Sequence, residues 1–510
     1  MNASAPQAVL GGSVRDLINR RAAETPDAPF LVDPRTGAAV SYGDLARKVR
    51  GFAAGLRARG LRPGDTVAYA LTNGPQSALA VLGLFYGGWH ATAVNLVAGK
   101  DIIGYVLDHS GARLVIAQDA TAPALAEAQA AAGLSVPVLM LTPEAFEAPD
   151  DGAEVCPGPG DDALLMYTSG TTGRPKGVVL TQGNLLAGGR ATALAHALTP
   201  ADRAMCVLPL YHINGLIVTV MAPLVSGGSV AMPERFSVST FWGDVAQTGC
   251  SWFSVVPTQI SYLLHAEGGE AEAKAAPLRF GRSASAPLSP DVQQAFERRF
   301  GLPIVETMGL TETAAQILSN PLPPAPRKIG SPGIAFGNEV MIADAAGAEV
   351  PRGTEGEVLV RGPNVMKGYL RNPAATAEAL TPDGWLRTGD LGRMDADGYV
   401  FITGRLKELI IKGGENIAPR EIDEALYTHP DIVEAAAFAC PCPRYGQRVE
   451  AAVRLVDGSG ATGDDLIALC RDRLGAFKAP DRIHVLPELP KGPSGKIQRK
   501  KLAEMLNLPA

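Results

Sequence analysis

No stretch of this 510-residue chain stays apolar for the roughly 20 residues that a membrane-spanning helix needs. The opening segment, MNASAPQAVLGGSVRD, lacks the basic start and long apolar run of a secretory signal. The closing LNLPA carries no receptor-read address. Cysteine is sparse. The six residues Cys156, Cys206, Cys250, Cys440, Cys442 and Cys470 show no metal-ligand spacing. Cys440 and Cys442 stand one residue apart in CPCP, closer than the CxxC-type spacing of a zinc site. Reduced thiols in a cytoplasmic protein are the expectation. The net charge of −6 brings no concentrated positive surface for phosphate backbones, so neither nucleic acid nor membrane is expected as a partner. There is no internal repeat, and the only biased tract is the Ala-rich Ala122–Ala132.

What is present fits a globular chain too long for one core: 46% hydrophobic and 19% charged residues, and a length that implies two or more domains. Tyr42–Arg59 has helical spacing (Leu45, Val49, Phe52, Leu56) and stops at Gly60. Strands at Thr66–Leu71, Ala91–Leu96, Arg113–Gln118 and Pro137–Leu141 alternate with helices at Gln76–Tyr86 and Asp101–His109. Further strands read at Ala204–Leu208, Gly228–Ala231, Trp252–Val256 and Pro303–Glu306. Such alternation predicts an α/β fold with parallel sheets covered on both faces. Around Ile329–Leu370 short strands and Gly/Pro turns suggest a small β-barrel or distorted sheet. After Gly404, Pro419–Tyr427, Ile432–Phe438, Glu450–Leu455 and Leu466–Leu474 predict a small, mobile α+β domain. The division falls at 406/407, giving an N-terminal domain 1–406 and a C-terminal domain 407–510.

Tyr167–Gly177, YTSGTTGRPKG, follows the apolar run Ala163–Met166. Glycines let backbone N–H groups approach a ligand closely and line an anion site. The hydroxyls of Thr168, Ser169, Thr171 and Thr172, the backbones of Gly170 and Gly173, and the charge of Lys176 together suit a polyphosphate. No Walker A pattern can be read here.

This segment resembles the phosphate loop of the adenylate-forming superfamily of acyl-CoA synthetases, peptide-synthetase adenylation domains and beetle luciferases. The likeness runs from Tyr42 to SGKIQRKKL at Ser494, with the motifs in the family's order. It implies an ATP-dependent acid–CoA ligase with ATP, Mg²⁺ and coenzyme A as cofactors or co-substrates. In Thr307–Glu312, TMGLTE, the resemblance gives Thr311 a phosphate oxygen and Glu312 the Mg²⁺, a hard cation that takes oxygen ligands. Met308 and Gly309 fall at the adenine. In WLRTGD the resemblance sets Asp390 on the ribose hydroxyls, and Arg405 reaches the ribose or α-phosphate. It makes Lys407 the hinge, Lys496 in PSGKIQRKK the catalytic lysine, and Lys412, Gly413 and Gly414 the walls of a pantetheine tunnel in the second step. The basic run Arg499–Lys501 reads as a solvated tail.

The acid is decided elsewhere. His212, in LPLYHING, matches a histidine at the mouth of the acyl pocket. Arg282, Ser283 and Ser285, in RFGRSASAPL, make one wall polar, which suits a small acid with a second anionic group. The segments FSVSTFW, VPTQ and SNPL resemble the oxalate–CoA ligase branch, but Ala315 stands where that branch has a substrate-side histidine. The enlarged space favours sulfoacetate or malonate over oxalate. A medium-chain or aryl acid–CoA ligase, an adenylation domain that loads a carrier protein, and a non-catalytic sensor are the alternatives. Nothing in the sequence fixes the oligomeric state.

Overall fold

The computed structural model describes residues 12–153, 155–168, 174–492 and 496–506. Its strands form sheets of seven, nine, four and five members among the described residues.

The seven-stranded sheet is built on Thr66–Ala70, which lies parallel between His90–Ala93 and Leu114–Ala117. The helix Pro75–Gly87 that crosses it is buried from Ser77 to Gly87, as befits a segment apolar on every side. Asp162–Thr168 joins this sheet parallel to His90–Ala93, and Lys176–Thr181 then turns back antiparallel. The segment expected to hold phosphate therefore connects two paired strands, with Thr168 directly opposite Lys176.

In the nine-stranded sheet, Arg203–Cys206, Trp252–Val255, Phe280–Ser283 and Ile304–Leu310 run parallel side by side. Alternation along a strand sends successive side chains to opposite faces. Trp252 and Phe280 stack at 5.7 Å within one core cluster, while Phe253 joins a second cluster behind the sheet. That same period of two sets Ser254 and Arg282 on the Trp252–Phe280 face.

The expected strand at Pro303–Glu306 is longer than its sequence suggests. It continues to Leu310 and pairs antiparallel with Ala315–Ser319. Gly309 disguised the continuation, because a glycine within a strand pattern reads as a turn. Its role is steric: a Cβ at this position would lie 1.8 Å from the carbonyl oxygen of Ala315. The texture change near residue 329 corresponds to an antiparallel four-stranded sheet of Glu339–Ala343, Glu355–Arg361, Leu386–Met394 and Val400–Arg405.

The smaller C-terminal part carries the five-stranded sheet. Its long hairpin, Ile432–Cys442 with Gly446–Leu455, buries Ala435, Ala437, Val449, Ala451 and Val453 against the helices Pro419–Leu426 and Gly463–Leu474. On the other face, the helix Arg499–Met505 seats Leu502 against Ala436, Phe438 and Cys440.

Candidate active site

Two neighbouring strands and one loop bring the nucleotide-side residues together. Asp390 and Arg405 are cross-strand partners of Leu386–Met394 and Val400–Arg405. The Arg405 guanidinium donates to Asp390 from Nε at 2.8 Å and from Nη2 at 3.3 Å. Burial would lower the Arg405 pKa, but Asp390, with Glu408 and Glu312, raises it. Lys496 completes this cluster from the C-terminal part. Burial and the charge of Arg405 push its ammonium down, against the opposing pull of Glu408 and Asp390.

Glu312 lies in the 3₁₀ turn Thr311–Thr313. Its carboxylate accepts a hydrogen bond from Tyr369 Oη at 2.9 Å, and its carbonyl accepts the Met366 N–H at 2.8 Å. Lys176 Nζ sits 4.9 Å from the Tyr369 ring centre. Tyr369 thus touches both the cation at the foot of the phosphate loop and the acid of TMGLTE. Sequence reading passed over it, since an isolated tyrosine after a glycine carries no spacing signal. Ser169, Gly170, Thr171, Thr172 and Gly173 lie outside the described residues. Thr168 ends its strand opposite Lys176. Met308 packs beside Ile317, Leu318 and Val360, next to Gly309. Just beyond the 3₁₀ turn, Ala314 and Ala315 both adopt positive φ (44° and 81°), a region uncommon for residues other than glycine.

On the acid side, Arg282 is 2% exposed. Its Nη1 donates to Asn214 Oδ1 at 3.0 Å and to Ser254 Oγ at 2.9 Å, and Ser254 Oγ donates in turn to Asn214 Oδ1 at 2.9 Å. Asn214 Nδ2 reaches Ser285 Oγ at 3.4 Å. Arg282 Nε is buried without a hydrogen-bond partner, and among the described residues no carboxylate forms an ion pair with this guanidinium. Burial pushes its pKa down to about 9. Asn214 opens a fully buried π-helical segment, Asn214–Met221, two residues beyond half-buried His212. His212 donates its N–H to Pro209 O at 3.0 Å, and its ring lies 5.0 Å from that of Tyr211. Ser283 is fully buried, and its carbonyl accepts Thr307 Oγ1 at 3.1 Å. Ala315 is nearly buried in the main core. Asn214 and Ser254 were missed in the sequence, although a serine within the apolar strand WFSV was the available signal.

The residues expected in the second step stand apart from this cluster. Lys412 is buried in the C-terminal part, where Nζ donates to Phe477 O at 2.8 Å and lies 3.7 Å from Asp481. Gly413 and Gly414 form the tip of the hairpin between Ile410–Lys412 and Glu415–Ile417, with φ of 60° and 89° that a tight two-residue turn requires. Lys407 is exposed in the short turn Leu406–Glu408. One expectation needs correction. Within Arg499–Lys501, Lys500 and Lys501 are exposed, but Arg499 is not part of a solvated tail: it pairs with buried Asp423, donates to Ala437 O at 2.9 Å and opens the last helix. A basic run in sequence does not reveal that one member faces inward.

No helix among the described residues is long and apolar enough to cross a membrane. The AMP-binding enzyme profile matches residues 18–370, and the AMP-binding enzyme C-terminal domain profile matches residues 421–496. The sulfoacetate–CoA ligase of Cupriavidus necator is 50% identical over 493 residues, which cover 95% of this chain and 96% of that one. The oxalate–CoA ligase of Arabidopsis thaliana is 36% identical over 461 residues, covering 87% and 89%. Among solved structures, ATP-bound MatB from Rhodopseudomonas palustris matches with a TM-score of 0.87 at 30% identity, covering 96% of this chain and 98% of that one. On these matches and a matching fold, the chain belongs to the AMP-binding enzyme family, among its adenylate-forming acid–CoA ligases.

Proposed function

We propose that this ligase activates a small carboxylic acid bearing a second anionic group, with sulfoacetate the first candidate and malonate or oxalate behind it. The observation that carries the proposal is the buried Arg282 guanidinium, whose recorded hydrogen-bond partners, Asn214 and Ser254, are both neutral. A buried cation without a counter-charge costs several kcal/mol, and an anionic ligand that supplies the missing charge recovers much of that cost. A sulfonate offers three acceptors and stays ionised at every physiological pH. The high identity to the C. necator sulfoacetate–CoA ligase supports the same choice.

In this reading the substrate carboxylate attacks the α-phosphorus of ATP, forming acyl-AMP and releasing pyrophosphate. Lys496 neutralises the carboxylate and α-phosphate oxygens, while Asp390 and Arg405 hold the ribose side. Met308 and Gly309 border the adenine. Thr168, Lys176 and the phosphate loop hold the β- and γ-phosphates, with Thr311 on a phosphate oxygen. Glu312, held by Tyr369, is the residue that would bind Mg²⁺, which supplies charge neutralisation at the phosphates. His212, Ser285 and Ala315 border the acid beside Arg282, whereas Ser283, the next residue of the strand, turns its side chain to the opposite face. The chain divides at 406/407, and rotation about Lys407 replaces Lys496 by the Lys412–Gly414 hairpin. Coenzyme A thiolate then attacks the acyl carbon and AMP leaves.

The test is AMP release with acetate, oxalate, malonate, sulfoacetate, octanoate and benzoate, each with and without coenzyme A. The expected result is best turnover with one of the doubly anionic acids. Best turnover with octanoate or benzoate overturns the reading.

A further inference from the structure

Lys496 sits on a loop with little regular structure of its own, so something must set its position. Lys491 and Ile497 form an isolated antiparallel bridge. Gly492 N–H donates to Lys496 O at 2.7 Å, and Gln498 N–H to Pro490 O at 2.8 Å. The placement of Lys491 therefore governs that of Lys496.

Lys491 Nζ is 3.1 Å from Glu434 Oε1, a carboxylate with no exposed surface. Glu434 also accepts the Leu489 N–H through Oε2 at 3.4 Å. Its remaining donor comes from the other part of the molecule. Tyr262, on the helix Pro257–His265, donates its hydroxyl to Glu434 Oε1. Beside it, Ser261 Oγ donates to Val433 O at 2.7 Å. The Tyr262 ring lies under Arg454 and Lys491, at 5.4 and 5.9 Å. A buried carboxylate needs every donor it can recruit, and one of those held by Glu434 comes from the other part of the molecule, in an arrangement that also sets Lys496 beside Arg405 and Asp390.

We propose that Tyr262 and Glu434 are positioning residues for adenylate formation: Tyr262, through Glu434 and Lys491, seats the Lys496 loop in the nucleotide site. The inference rests on the reading that Lys496 serves the first half-reaction. A contact between the two parts made in this arrangement supports the adenylation step and is dispensable once the adenylate exists. A purely structural tyrosine would affect both half-reactions alike.

The experiment uses the full-length enzyme and the acid selected by the substrate panel. Acid-dependent ATP–pyrophosphate exchange is measured beside thioester formation from supplied acyl-adenylate, for Tyr262→Phe, Lys491→Met, Lys491→Arg and Lys496→Ala. For Tyr262→Phe, exchange is expected to fall about tenfold, the worth of one hydrogen bond to a charged group, with thioester formation within about twofold of the parent. Lys491→Met should fall in the same selective way, and Lys491→Arg, which keeps the ion pair, should recover most of the loss. Equal loss in both assays for Tyr262→Phe overturns the inference. So does unchanged exchange in Tyr262→Phe while Lys496→Ala abolishes it. If Lys496→Ala itself spares exchange, the role of Lys496 fails, and the positioning role fails with it.

Discussion

Asp390 and Arg405 face each other across two antiparallel strands and are joined by two hydrogen bonds, at 2.8 and 3.3 Å. The two hydrogen bonds fix both groups relative to each other, and in the proposed function this orients the carboxylate for a ribose and the guanidinium for an α-phosphate. Asp390→Asn keeps the shape but removes the charge that holds Arg405. The expected outcome is a rise of about tenfold or more in KM for ATP, the scale of a lost charge-assisted hydrogen bond, with KM for coenzyme A little changed. Steady-state kinetics with each substrate varied in turn checks this, and an equal rise in both constants would count against a ribose role.

Arg282→Met is expected to separate activity from stability. Methionine is flexible enough to fill much of the guanidinium's space. Replacing a buried charge that lacks a counter-charge by an apolar group removes its desolvation cost, which offsets the lost hydrogen bonds to Asn214 and Ser254. The midpoint of thermal unfolding should stay level or rise, while kcat/KM for the doubly anionic acid falls by about 100-fold or more. A large drop in thermal stability would make Arg282 a structural residue and leave the acid pocket without its anchor.

Among the described residues one side-chain hydrogen bond reaches the Glu312 carboxylate, and Tyr369→Phe removes it yet leaves the ring against Lys176. The Mg²⁺ concentration that gives half-maximal activity should rise several-fold, about 1 kcal/mol in binding, with the affinity for the acid unchanged. Titration of activity with Mg²⁺ at fixed ATP is the check.

The pH dependence follows from Lys496. Burial first, and Arg405 second, hold its pKa below the usual lysine range. The protonated form carries the charge that the adenylation step uses, so that charge is present at lower pH and is lost as pH rises through the depressed value. Pyrophosphate exchange should therefore decline on the alkaline side earlier than an ordinary lysine would allow. Thioester formation from supplied adenylate should show no such limb, and a shared limb in both profiles would point to another group.

Gly309→Ala is expected to damage both stability and turnover. The added Cβ would fall 1.8 Å from the Ala315 carbonyl oxygen, a backbone atom that cannot swing aside. Forcing such a clash costs about 1–3 kcal/mol. Thermal unfolding should shift down, and KM for ATP should rise, because the strand bearing Met308 and the turn bearing Glu312 part together.

The segments expected to hold the nucleotide were easier to pick out of the sequence than the surroundings of Arg282, for a physical reason. Loops that cradle phosphates need glycines, hydroxyls and a cation in close succession, so Tyr167–Gly177, Glu312 and Asp390 could be seen one segment at a time. Arg282 depends on Asn214 and Ser254, which come from a π-helix and an adjacent strand far apart in the chain. Only the sheet order brings them together. The helix Tyr42–Ala58 was legible because apolar spacing and a terminal Gly60 mark it. The strand through Gly309 was not, because the residue that permits the strands' close approach is also the commonest sign of a turn. Arg499 shows the opposite failure, a charge that resembles its solvated neighbours until Asp423 is found beneath it.

The π-helical turn at Asn214–Met221 has a consequence for how selectivity can change. Such a turn carries about one residue more than an α-helical turn, and it is held only by the packing around it. Adding or removing one residue in this segment changes the number of residues per turn, and so changes where Asn214 stands relative to Ser254 and Arg282. The pocket could thus be retuned by a single insertion or deletion, with the sheet, the phosphate loop and the nucleotide machinery untouched. Acid preference in this architecture is therefore open to change through chain length as well as through residue type.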